Sequence, residues 1–394
     1  MRVLHVITNL SPGYGGPVKA CKELCTSLAD VGEDITIYTT NLNYPAGHLD
    51  VPLNIKIQQD GYNVLYYPIQ FSPYIFSWGL ARALKENVRK FDVVHIHGLY
   101  RFPQAVAAYY ARKFDVPYLI RPHGSLDPFL FNHKRHRFSK RLYEHLIENR
   151  NLNAASALHF TTSEEMQLVE PLKLRAPGIV IPNGLDFEKY NNLPPFGRFR
   201  KKYKISDEKI ILHYGRIHFK KGLDILIKSF AEISHMRKDT LLVIAGPDNE
   251  GYRSQVEKWI TKENISSRVI FTGMLQGDDA LEVLRDSDIF ALPSYTENFG
   301  IAVVEAMASG LPVVISDKVN IWNEVRDAGA GLVTSCNEKE VADALLKLLD
   351  DAKKREEMGN AGKVLVRKKY GWDAIVRELR STYKSLLANS CEKH

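Results

Sequence analysis

Cysteine is scarce in this sequence, with four residues among 394. So few cysteines exclude a disulfide scaffold, and the absence of a C-x-x-C pair argues against a cysteine metal site. Cys21 and Cys25 stand four residues apart in a helical pattern, so they share one face of that helix. We predict that the cysteines are reduced thiols of a cytoplasmic protein.

Long apolar runs are also missing. Apolar runs such as residues 301–304 fall far short of the roughly 18 residues that a membrane span requires. The first residues are typical of a strand. They lack the long apolar stretch and the cleavage site of a secretory signal. Glycine (25 residues) and proline (18 residues) are at ordinary levels, which excludes collagen-like and low-complexity chains. We therefore expect a soluble protein. Its length of 394 residues predicts two or three domains.

No strong charge of one sign is present. The 53 basic and 46 acidic residues give a net charge of +7, and the excess is spread over both halves. Such a mild excess suits phosphorylated substrates, anionic lipid heads or nucleic acid equally well. Because no aromatic–basic RNA-binding motif accompanies it, we expect no nucleic-acid partner.

Short β-rich runs alternate with helical patterns, which predicts an α/β protein with mostly parallel sheets covered by helices on both faces. In the first half, the predicted strands are residues 3–7, 35–39, 64–67, 93–97, 118–121, 157–160 and 179–181. In the second half, they are residues 210–214, 241–245, 269–272, 289–291, 313–315 and 331–333.

Asn, Pro and Gly cluster at residues 191–199, as is typical of an interdomain linker. The chain is therefore expected to form two Rossmann-like, doubly wound domains. We predict domains at residues 1–193 and 194–370, followed by a C-terminal helix over 371–394.

A glycine-rich turn follows the first predicted strand. There, backbone N–H groups at Gly15 and Gly16 can approach a phosphate or a sugar. The turn lacks the last glycine of G-x-G-x-x-G, which weakens a dinucleotide-binding interpretation. An ordinary flexible turn is the alternative.

Histidines mark two other strands of the first half. His95 and His97 point to one side of their strand, where they either line the ligand edge of the sheet or are satisfied core histidines. Zinc would need a third ligand, and none is evident. His123 follows the next strand and can donate to a substrate hydroxyl or transfer a proton.

In the second half, Arg216 and Lys221 lie in a glycine-flanked loop between a strand and a helix. A guanidinium fork and an ammonium that converge on one anion suit a diphosphate. The alternative is a solvated basic turn.

The most informative segment covers residues 293–310, in which a strand leads through a polar loop to a helix that we expect to open near Phe299. Gly300 permits close approach of a ligand to the first turn, whose N–H groups and dipole favour an anion. Glu297 and Glu305 can flank that ligand and accept hydrogen bonds from sugar hydroxyls. The alternative is an exposed glutamate and a chance helical one.

Taken together, these segments resemble the retaining, nucleotide-sugar-dependent glycosyltransferases of family four, which have the GT-B fold of two Rossmann-like domains facing across a cleft. The resemblance covers nearly the whole chain, and its most specific part is Glu297 with Glu305, followed by residues 306–313. It is supported by residues 181–186, by Gly215-Arg216 with Lys221-Gly222, and by the turn at Gly15-Gly16.

The resemblance implies a role for each matching residue. Arg216 and Lys221 would hold the donor diphosphate, Glu305 the ribose, and Glu297 a hydroxyl of the donor sugar. Nearby backbone groups of Asn298, Phe299, Gly300 and Ile301 would assist. The turn with Gly15 and Gly16 would reach the phosphates, His123 would lie beside the donor sugar, and the backbone of Met274 would contact the base. The C-terminal helix after Trp372 would cross back onto the first domain. His123 lies where the family's sequences vary.

The implied activity is that of a retaining hexosyltransferase acting on a nucleotide diphosphate sugar, with UDP as the expected nucleotide. The acceptor would be a glycan or a lipid-linked saccharide, in polysaccharide or glycolipid synthesis. No cofactor is expected, because the family generally works without a bound metal and no D-x-D-type site is apparent. Alternatives are a nucleotide-sugar 2-epimerase and an inactive sugar-nucleotide sensor, although intact Arg216, Lys221, Glu297 and Glu305 argue against the sensor.

Residues 132–150 hold six Lys/Arg and three His against two Glu, with apolar residues on one side of a predicted helix. A basic amphipathic helix is typical of contact with an anionic membrane or an acidic acceptor. A solvated helix is the equal alternative. Peripheral contact with the inner face of the membrane is therefore an open expectation for a cytoplasmic protein.

Overall fold

A computed structural model describes residues 1–44, 46–128 and 143–391 of the chain. It divides into two compact units. The first unit is Met1–Gly184 together with the final helix that begins at Trp372, and the second is Leu185–Gly371.

The first unit is built on a sheet of eight strands in the order β3-β4-β2-β1-β5-β6-β7-β8, and only the β3–β4 pair is antiparallel. Its strands are β1 (Arg2–Asn9), β2 (Asp34–Thr40), β3 (Lys56–Gln59), β4 (Tyr62–Tyr67), β5 (Val93–His97), β6 (Tyr118–Arg121), β7 (Ala157–Phe160) and β8 (Gly178–Val180). The central strands β1, β5, β6 and β7 are buried almost throughout, as expected for parallel strands covered on both faces.

Helices cover this sheet. They are α1 (Gly16–Asp30), α2 (Trp78–Asn87), α3 (Phe102–Lys113), α4 (Asn149–Asn153) and α5 (Ser163–Val169), with a π-helical turn over Glu144–Glu148. Helix α1 buries Cys21 and Cys25 on its inner face, as their spacing predicts, and both thiols are free.

The second unit has a six-stranded sheet of order β11-β10-β9-β12-β13-β14, in which all pairs are parallel. Its strands are β9 (Lys209–Tyr214), β10 (Thr240–Ala245), β11 (Val269–Gly273), β12 (Ile289–Leu292), β13 (Val313–Ser316) and β14 (Gly331–Thr334). The strand order reverses between β9 and β12, which is the point where open α/β sheets bind ligands.

The helices of the second unit complete its two outer layers. They are α6 (Glu188–Asn191), α7 (Arg198–Tyr203), α8 (Leu223–Met236), α9 (Arg253–Lys262), α10 (Asp278–Asp286), α11 (Ile301–Ala308), α12 (Trp322–Asp327), α13 (Glu338–Asp350) and α14 (Ala352–Lys369). The last helix of the chain, α15 (Trp372–Cys391), belongs to the first unit, where Tyr383 is fully buried.

The chain leaves the first unit earlier than the position 193/194 predicted from the sequence. Leu185 donates its N–H to the Tyr370 carbonyl at 2.8 Å and forms a β-bridge with Gly371. The segment that leaves the first unit therefore runs beside the segment that returns to it. Residues 191–199, expected to be a linker, lie within the second unit, where Tyr190 and Phe199 join its core.

Candidate functional site

Two loops of the second unit meet beside the strand-order reversal. One follows β9 and carries Arg216 and Lys221, and the other follows β12 and carries Glu297. The Tyr295 N–H donates to the Lys220 carbonyl at 2.8 Å, which joins the loops directly. Because β9 and β12 are neighbours in the sheet, the parallel topology brings these separate stretches of sequence together.

Gly222 is required for this contact. Its φ is +64°, and a Cβ at this position would lie 1.9 Å from the Pro293 carbonyl oxygen. Any side chain here would separate the loop of Lys221 from the loop of Glu297.

Lys221 donates a hydrogen bond to the Glu297 carboxylate, and each side chain is 18% exposed. Burial alone would raise the pKa of Glu297, but the charge and hydrogen bond of Lys221 outweigh it and hold this pKa below its ordinary value. The structure thus pairs the cation predicted to hold a diphosphate with the carboxylate predicted to hold a sugar hydroxyl.

A buried histidine lies beneath this pair. Both ring nitrogens of His213, on β9, lack a hydrogen bond in the described residues. Burial, reinforced by the positive charge of Lys221, lowers the pKa of His213 to about 3. A neutral imidazole here adds no positive charge to the loops, so their cationic character comes from Arg216, Lys220 and Lys221.

Arg216 is the half-buried cation of the β9 loop. Within residues 1–44, 46–128 and 143–391, no ion pair or hydrogen bond engages its guanidinium. The Arg216 guanidinium can therefore bind an anionic ligand without breaking a hydrogen bond or ion pair within the protein. Lys221, in contrast, must give up its bond to Glu297 to bind the same ligand.

Helix α11 opens at Ile301, two residues after Phe299, where the sequence placed its start. Gly300 caps it with a φ of +75°. The Phe299 side chain packs against Tyr370 in the core and is 3% exposed, so only its backbone is left for a ligand. Asn298 lies in the half-buried loop just before this cap.

Glu305 lies within α11, beyond its N-terminal turn. It is 7% exposed, and its Oε1 accepts a hydrogen bond from the Tyr190 hydroxyl at 2.9 Å. The sequence analysis missed Tyr190, which lies just before the presumed linker. Met274 follows Gly273 at the end of β11 and is 46% exposed.

In the first unit, Gly15 adopts a φ of +84° and caps α1, and Gly16 is the first residue of that helix. A short 3₁₀ turn over Pro12–Tyr14 precedes it. The glycine-rich turn thus places the first N–H groups of a 15-residue helix at the carboxyl end of β1, as an anion-binding turn would require.

His123 lies in the turn after β6 and has a left-handed backbone with a φ of +51°. Gly124 donates its N–H to Glu165 Oε1 at 2.9 Å, and the second oxygen of this carboxylate accepts from the N–H of Thr161 at 2.7 Å. Glu165, on α5, is 3% exposed and was not predicted from the sequence. It anchors the strained turn that carries His123.

A chain of buried imidazoles extends from His123 into the sheet. His123 Nε2 and His97 Nδ1 are hydrogen-bonded at 3.1 Å, and His97 Nε2 and His5 Nδ1 at 2.9 Å. His159 Nδ1 bonds to His95 Nε2 at 3.2 Å, and His95 Nδ1 to the Tyr383 hydroxyl at 2.8 Å. We call His5, His95, His97, His123 and His159 the histidine cluster.

The histidine cluster lies around the buried guanidinium of Arg121, which donates to Asn183 Oδ1 at 2.6 Å. Burial is the main cause that lowers the pKa values of His5, His95, His123 and His159, and the Arg121 charge adds to it. The interpretation of His95 and His97 as satisfied core histidines fits their hydrogen bonds.

A third potential ligand, not evident from sequence, lies beside His97. Ligand atoms of His5, Cys21 and His97 all lie within 4.8 Å of one another, and all three residues are buried. His5 lies on β1 and Cys21 on the buried face of α1, and they come together because α1 packs against the sheet.

Most of the basic segment 132–150 lies outside the described residues. Of the part that is described, Leu146 is 59% exposed and Ile147 38% exposed. Among the described helices, none combines the length and the apolar character needed to cross a bilayer.

Two family models match the chain. The model described as a glycosyl transferase 4-like domain matches residues 15–184, and the model described as glycosyl transferases group 1 matches residues 196–365. Each match falls entirely within one unit, and the second contains α11 and the loops that follow β9 and β12.

Similar proteins span nearly the whole chain. An uncharacterized glycosyltransferase of Methanocaldococcus jannaschii is 26% identical over 389 residues, covering 94% of each chain. The N-acetyl-alpha-D-glucosaminyl L-malate synthase of Bacillus anthracis is 25% identical over 389 residues, covering 95% of each. The structure of Anabaena HepE in complex with UDP-glucose has a TM-score of 0.80 at 19% identity, covering 98% of this chain and 100% of that one.

Proposed function

The chain belongs to the family-four glycosyltransferases with the GT-B fold, and we propose that it is a retaining hexosyltransferase that uses a UDP-sugar. The acceptor is a glycan or a lipid-linked saccharide, in polysaccharide or glycolipid synthesis. The observation that carries the proposal is the convergence of Arg216, Lys221 and Glu297 on two loops held together at Gly222.

Donor binding follows from the charges of these loops. The diphosphate bonds to the Arg216 fork and draws Lys221 from Glu297, which leaves the Glu297 carboxylate to accept from a sugar hydroxyl. Glu305, fixed by Tyr190, accepts from the ribose, and the backbone of residues 298–301 completes the donor contacts. The backbone of Met274 contacts the base.

Catalysis on this proposal is mainly electrostatic. When the sugar leaves the diphosphate through an oxocarbenium-like transition state, negative charge grows on the departing oxygen. Fixed cations at that oxygen stabilise the transition state more than the ground state. No metal is needed for this task when Arg216 and Lys221 supply the charge.

Retention of the anomeric configuration requires no protein nucleophile if the leaving phosphate accepts the proton of the acceptor hydroxyl. The candidate site offers no pair of free carboxylates of the glycosidase kind among the described residues, because Glu297 is paired with Lys221 and Glu305 with Tyr190. In the first unit, we propose that His123 contacts the transferred sugar and that the turn at Gly15 and Gly16 contacts the phosphates.

The choice of UDP is supported by the HepE complex, which binds UDP-glucose. A lipid-linked acceptor would explain the basic residues of segment 132–150. We accordingly place the enzyme in the cytoplasm, with peripheral contact to the inner face of the membrane through that segment.

The experiment that tests this function begins with a thermal-shift screen of nucleotide sugars, in which a donor at 100 times its Kd adds about 2.7 kcal/mol of stability. Proton NMR of the product then gives its anomeric configuration. Retention is expected, and inversion would contradict the mechanism. Turnover of the donor to an epimer without acceptor would favour the 2-epimerase instead.

A further inference from the structure

Three exposed aromatic side chains lie on or directly after the loop that joins β4 to α2. Phe71, Tyr74 and Trp78 are 54%, 60% and 68% exposed. The other exposed aromatic residues of the described chain are Tyr109 and Phe196. Single apolar residues are common on a protein surface, but a cluster of large ones marks a site of interaction.

The loop between β4 and α2 has a defined shape that keeps these rings outside. Phe76 donates its N–H to the Phe71 carbonyl at 2.9 Å and accepts from the Gln70 N–H at 2.9 Å. The Trp78 N–H donates to Gln70 Oε1 at 2.8 Å. Ile75 is buried with a φ of +55°, which is costly for a β-branched residue and persists only where the surroundings fix the backbone.

Two aliphatic residues extend the cluster beside Trp78. Leu53 and Ile55 are both exposed, and they flank Asn54. A Cβ at Gly79 would lie 3.1 Å from Asn54 Oδ1, so this segment packs against the first turn of α2. We call Leu53, Ile55, Phe71, Tyr74 and Trp78 the apolar patch.

Positive charge is concentrated next to the apolar patch. Residues 71–114, which include α2 and α3, hold seven Lys/Arg against two Asp/Glu, a net of +5, while the entire chain has +7. Arg82 and Lys85 follow Trp78 by four and seven residues on α2, so they share its face of the helix, and both are exposed. The seven basic residues are Arg82, Lys85, Arg89, Lys90, Arg101, Arg112 and Lys113.

The apolar patch also connects to the described end of the basic segment 132–150. The Phe76 ring packs on Phe102, at the start of α3, with ring centroids 4.3 Å apart. Just before Phe102, the Tyr100 N–H donates to Glu148 Oε1 at 2.9 Å. Glu148 ends the π-helical turn that carries the exposed Leu146 and Ile147. Two exposed apolar groups thus lie on connected elements of the first unit.

The combination of apolar side chains and positive charge selects among possible occupants. A second copy of the chain on a two-fold axis would place this positive surface against itself. Nucleic acid or a soluble saccharide can stack on aromatic rings, but neither gives Leu53 and Ile55 an apolar partner. An anionic membrane surface provides both phosphates for the basic residues and an apolar boundary for Trp, Tyr and aliphatic side chains.

We propose that the apolar patch inserts into the headgroup region of an anionic membrane, with the basic residues of α2 and α3 facing its phosphates. The patch follows the carboxyl end of β4, and the turn at Gly15 and the turn of His123 follow the carboxyl ends of the parallel strands β1 and β6. A lipid-linked acceptor would therefore be presented at the edge of the sheet that carries His123. This last consequence rests on the proposed function, whereas the membrane contact itself does not.

The test is cosedimentation of the full chain, without donor and at low salt, with vesicles of equal parts phosphatidylglycerol and phosphatidylcholine. The native protein is expected to bind. Trp78→Ser removes a large apolar group and should weaken binding on the order of tenfold. Arg82→Gln removes one charge near the lipid phosphates and should weaken binding about fivefold.

Two variants of the second unit are matched controls. Phe196→Ser removes an exposed aromatic ring outside the apolar patch. Lys353→Gln removes a cation that pairs with a glutamate four residues on, as Arg82 does with Glu86. Both controls should bind the vesicles as tightly as the native protein.

Tryptophan fluorescence locates the contact independently of binding strength. Trp78 is exposed, whereas Trp259, Trp322 and Trp372 are half-buried. Vesicles with brominated acyl chains should therefore quench part of the native emission. Trp78→Phe keeps an aromatic ring on α2, so it should still bind the vesicles but lose this quenching, a result that misfolding would not produce.

Several results would overturn the proposal. They are equal binding to vesicles of phosphatidylcholine alone, native binding by Trp78→Ser, unquenched Trp78 in the bound protein, and a dimer in light scattering that Trp78→Ser dissociates. Absence of glycosyl transfer would refute the proposed function and leave the vesicle binding standing. Normal transfer without vesicle binding would refute the membrane contact and leave the transferase activity standing.

Discussion

Individual charged side chains determine what the loops after β9 and β12 can bind. Lys221 and Glu297 neutralise each other in the protein alone, while Arg216 stays without an ion-pair partner in the described part of the chain. A partly buried pair such as this gains little net stability, because desolvation offsets most of its attraction. Its value is the exchange that it allows: a diphosphate can replace Glu297 at Lys221, and the released Glu297 carboxylate can then accept a hydrogen bond from a sugar hydroxyl.

The buried histidines predict how stability depends on pH. Burial lowers the pKa values of His5, His95, His123, His159 and His213, so these imidazoles are neutral in the folded protein and gain protons on unfolding near pH 6.5. Their contribution is present above pH 6.5 and is lost as the pH falls. Urea unfolding should show a loss of at least about 1.6 kcal/mol between pH 6.5 and 5, the effect of one such group.

A matched pair of variants checks the assignment. His213→Leu removes a buried imidazole and should make the slope of stability against pH shallower by about 1.4 kcal/mol per pH unit. His48→Gln removes an exposed one and should leave the slope unchanged. Burial raises the pKa of Glu165, which acts in the opposite direction. Equal stability at pH 5 and 7 would exclude the neutral cluster.

The residues predicted from sequence lie at loop ends, where local motifs identify them. Arg216, Lys221 and Glu297 were found because glycines and strand ends surround them. Tyr190, Glu165, His5 and Cys21 were not, because each acquires its partner through the register of distant strands or helices. The roles of all the site residues stay predictions until ligands or variants test them.

At the scale of elements, the loops after β9 and β12 are held together by direct backbone contacts. Gly222 lets the first loop pass the Pro293 carbonyl, and the Tyr295 N–H bonds to Lys220 just beyond. Helix α8 begins directly after Gly222 and α11 directly after Gly300, both of them left-handed caps. Two helices thus begin within a few residues of the backbone contact that joins the two loops.

Gly222→Ala tests this dependence. Any alanine at a left-handed position loses about 1–2 kcal/mol to backbone strain. At Gly222 the added Cβ would also lie 1.9 Å from the Pro293 oxygen, so the loops must part, and the loss of stability should be larger. Donor affinity, measured by calorimetry, should fall as well.

Gly329→Ala is the matched control. Its φ is +67°, close to that of Gly222, but a Cβ there meets no atom within 4 Å. It should therefore show the backbone strain alone, with unchanged donor affinity. Equal effects of the two substitutions would show that the contact with Pro293 does not matter.

Most elements could be predicted because buried parallel strands are short, mostly apolar runs. Every strand predicted from the sequence is present, and the family and the GT-B fold are confirmed. The edge strand β3 was missed, since Lys56–Gln59 has a single strongly apolar residue. Residues 191–199 were taken for a linker because local Asn, Pro and Gly do not reveal that Phe199 packs into a core.

At the scale of the whole molecule, each unit has its own sheet, its own core and its own group of candidate residues. The final helix returns to the first unit, and Trp372 packs so closely on Gly184 that a Cβ there would lie 2.2 Å from the indole. Tyr383 on the same helix bonds to His95. The C-terminal helix thus contributes to the core and the histidine cluster of the first unit, which no local sequence pattern indicates.

The central claim is that Arg216 and Lys221 ease the departure of the donor diphosphate. It is tested most directly by steady-state kinetics of Arg216→Ala and Lys221→Ala with the donor identified by the nucleotide-sugar screen. Lys228→Ala serves as control, because Lys228 also pairs with a glutamate in the second unit but is 54% exposed on α8.

Each site variant is expected to lose about 10²–10³-fold in kcat, or about 3–4 kcal/mol of transition-state stabilisation, while the control keeps its activity. Near-normal kcat/KM in both site variants would contradict the account.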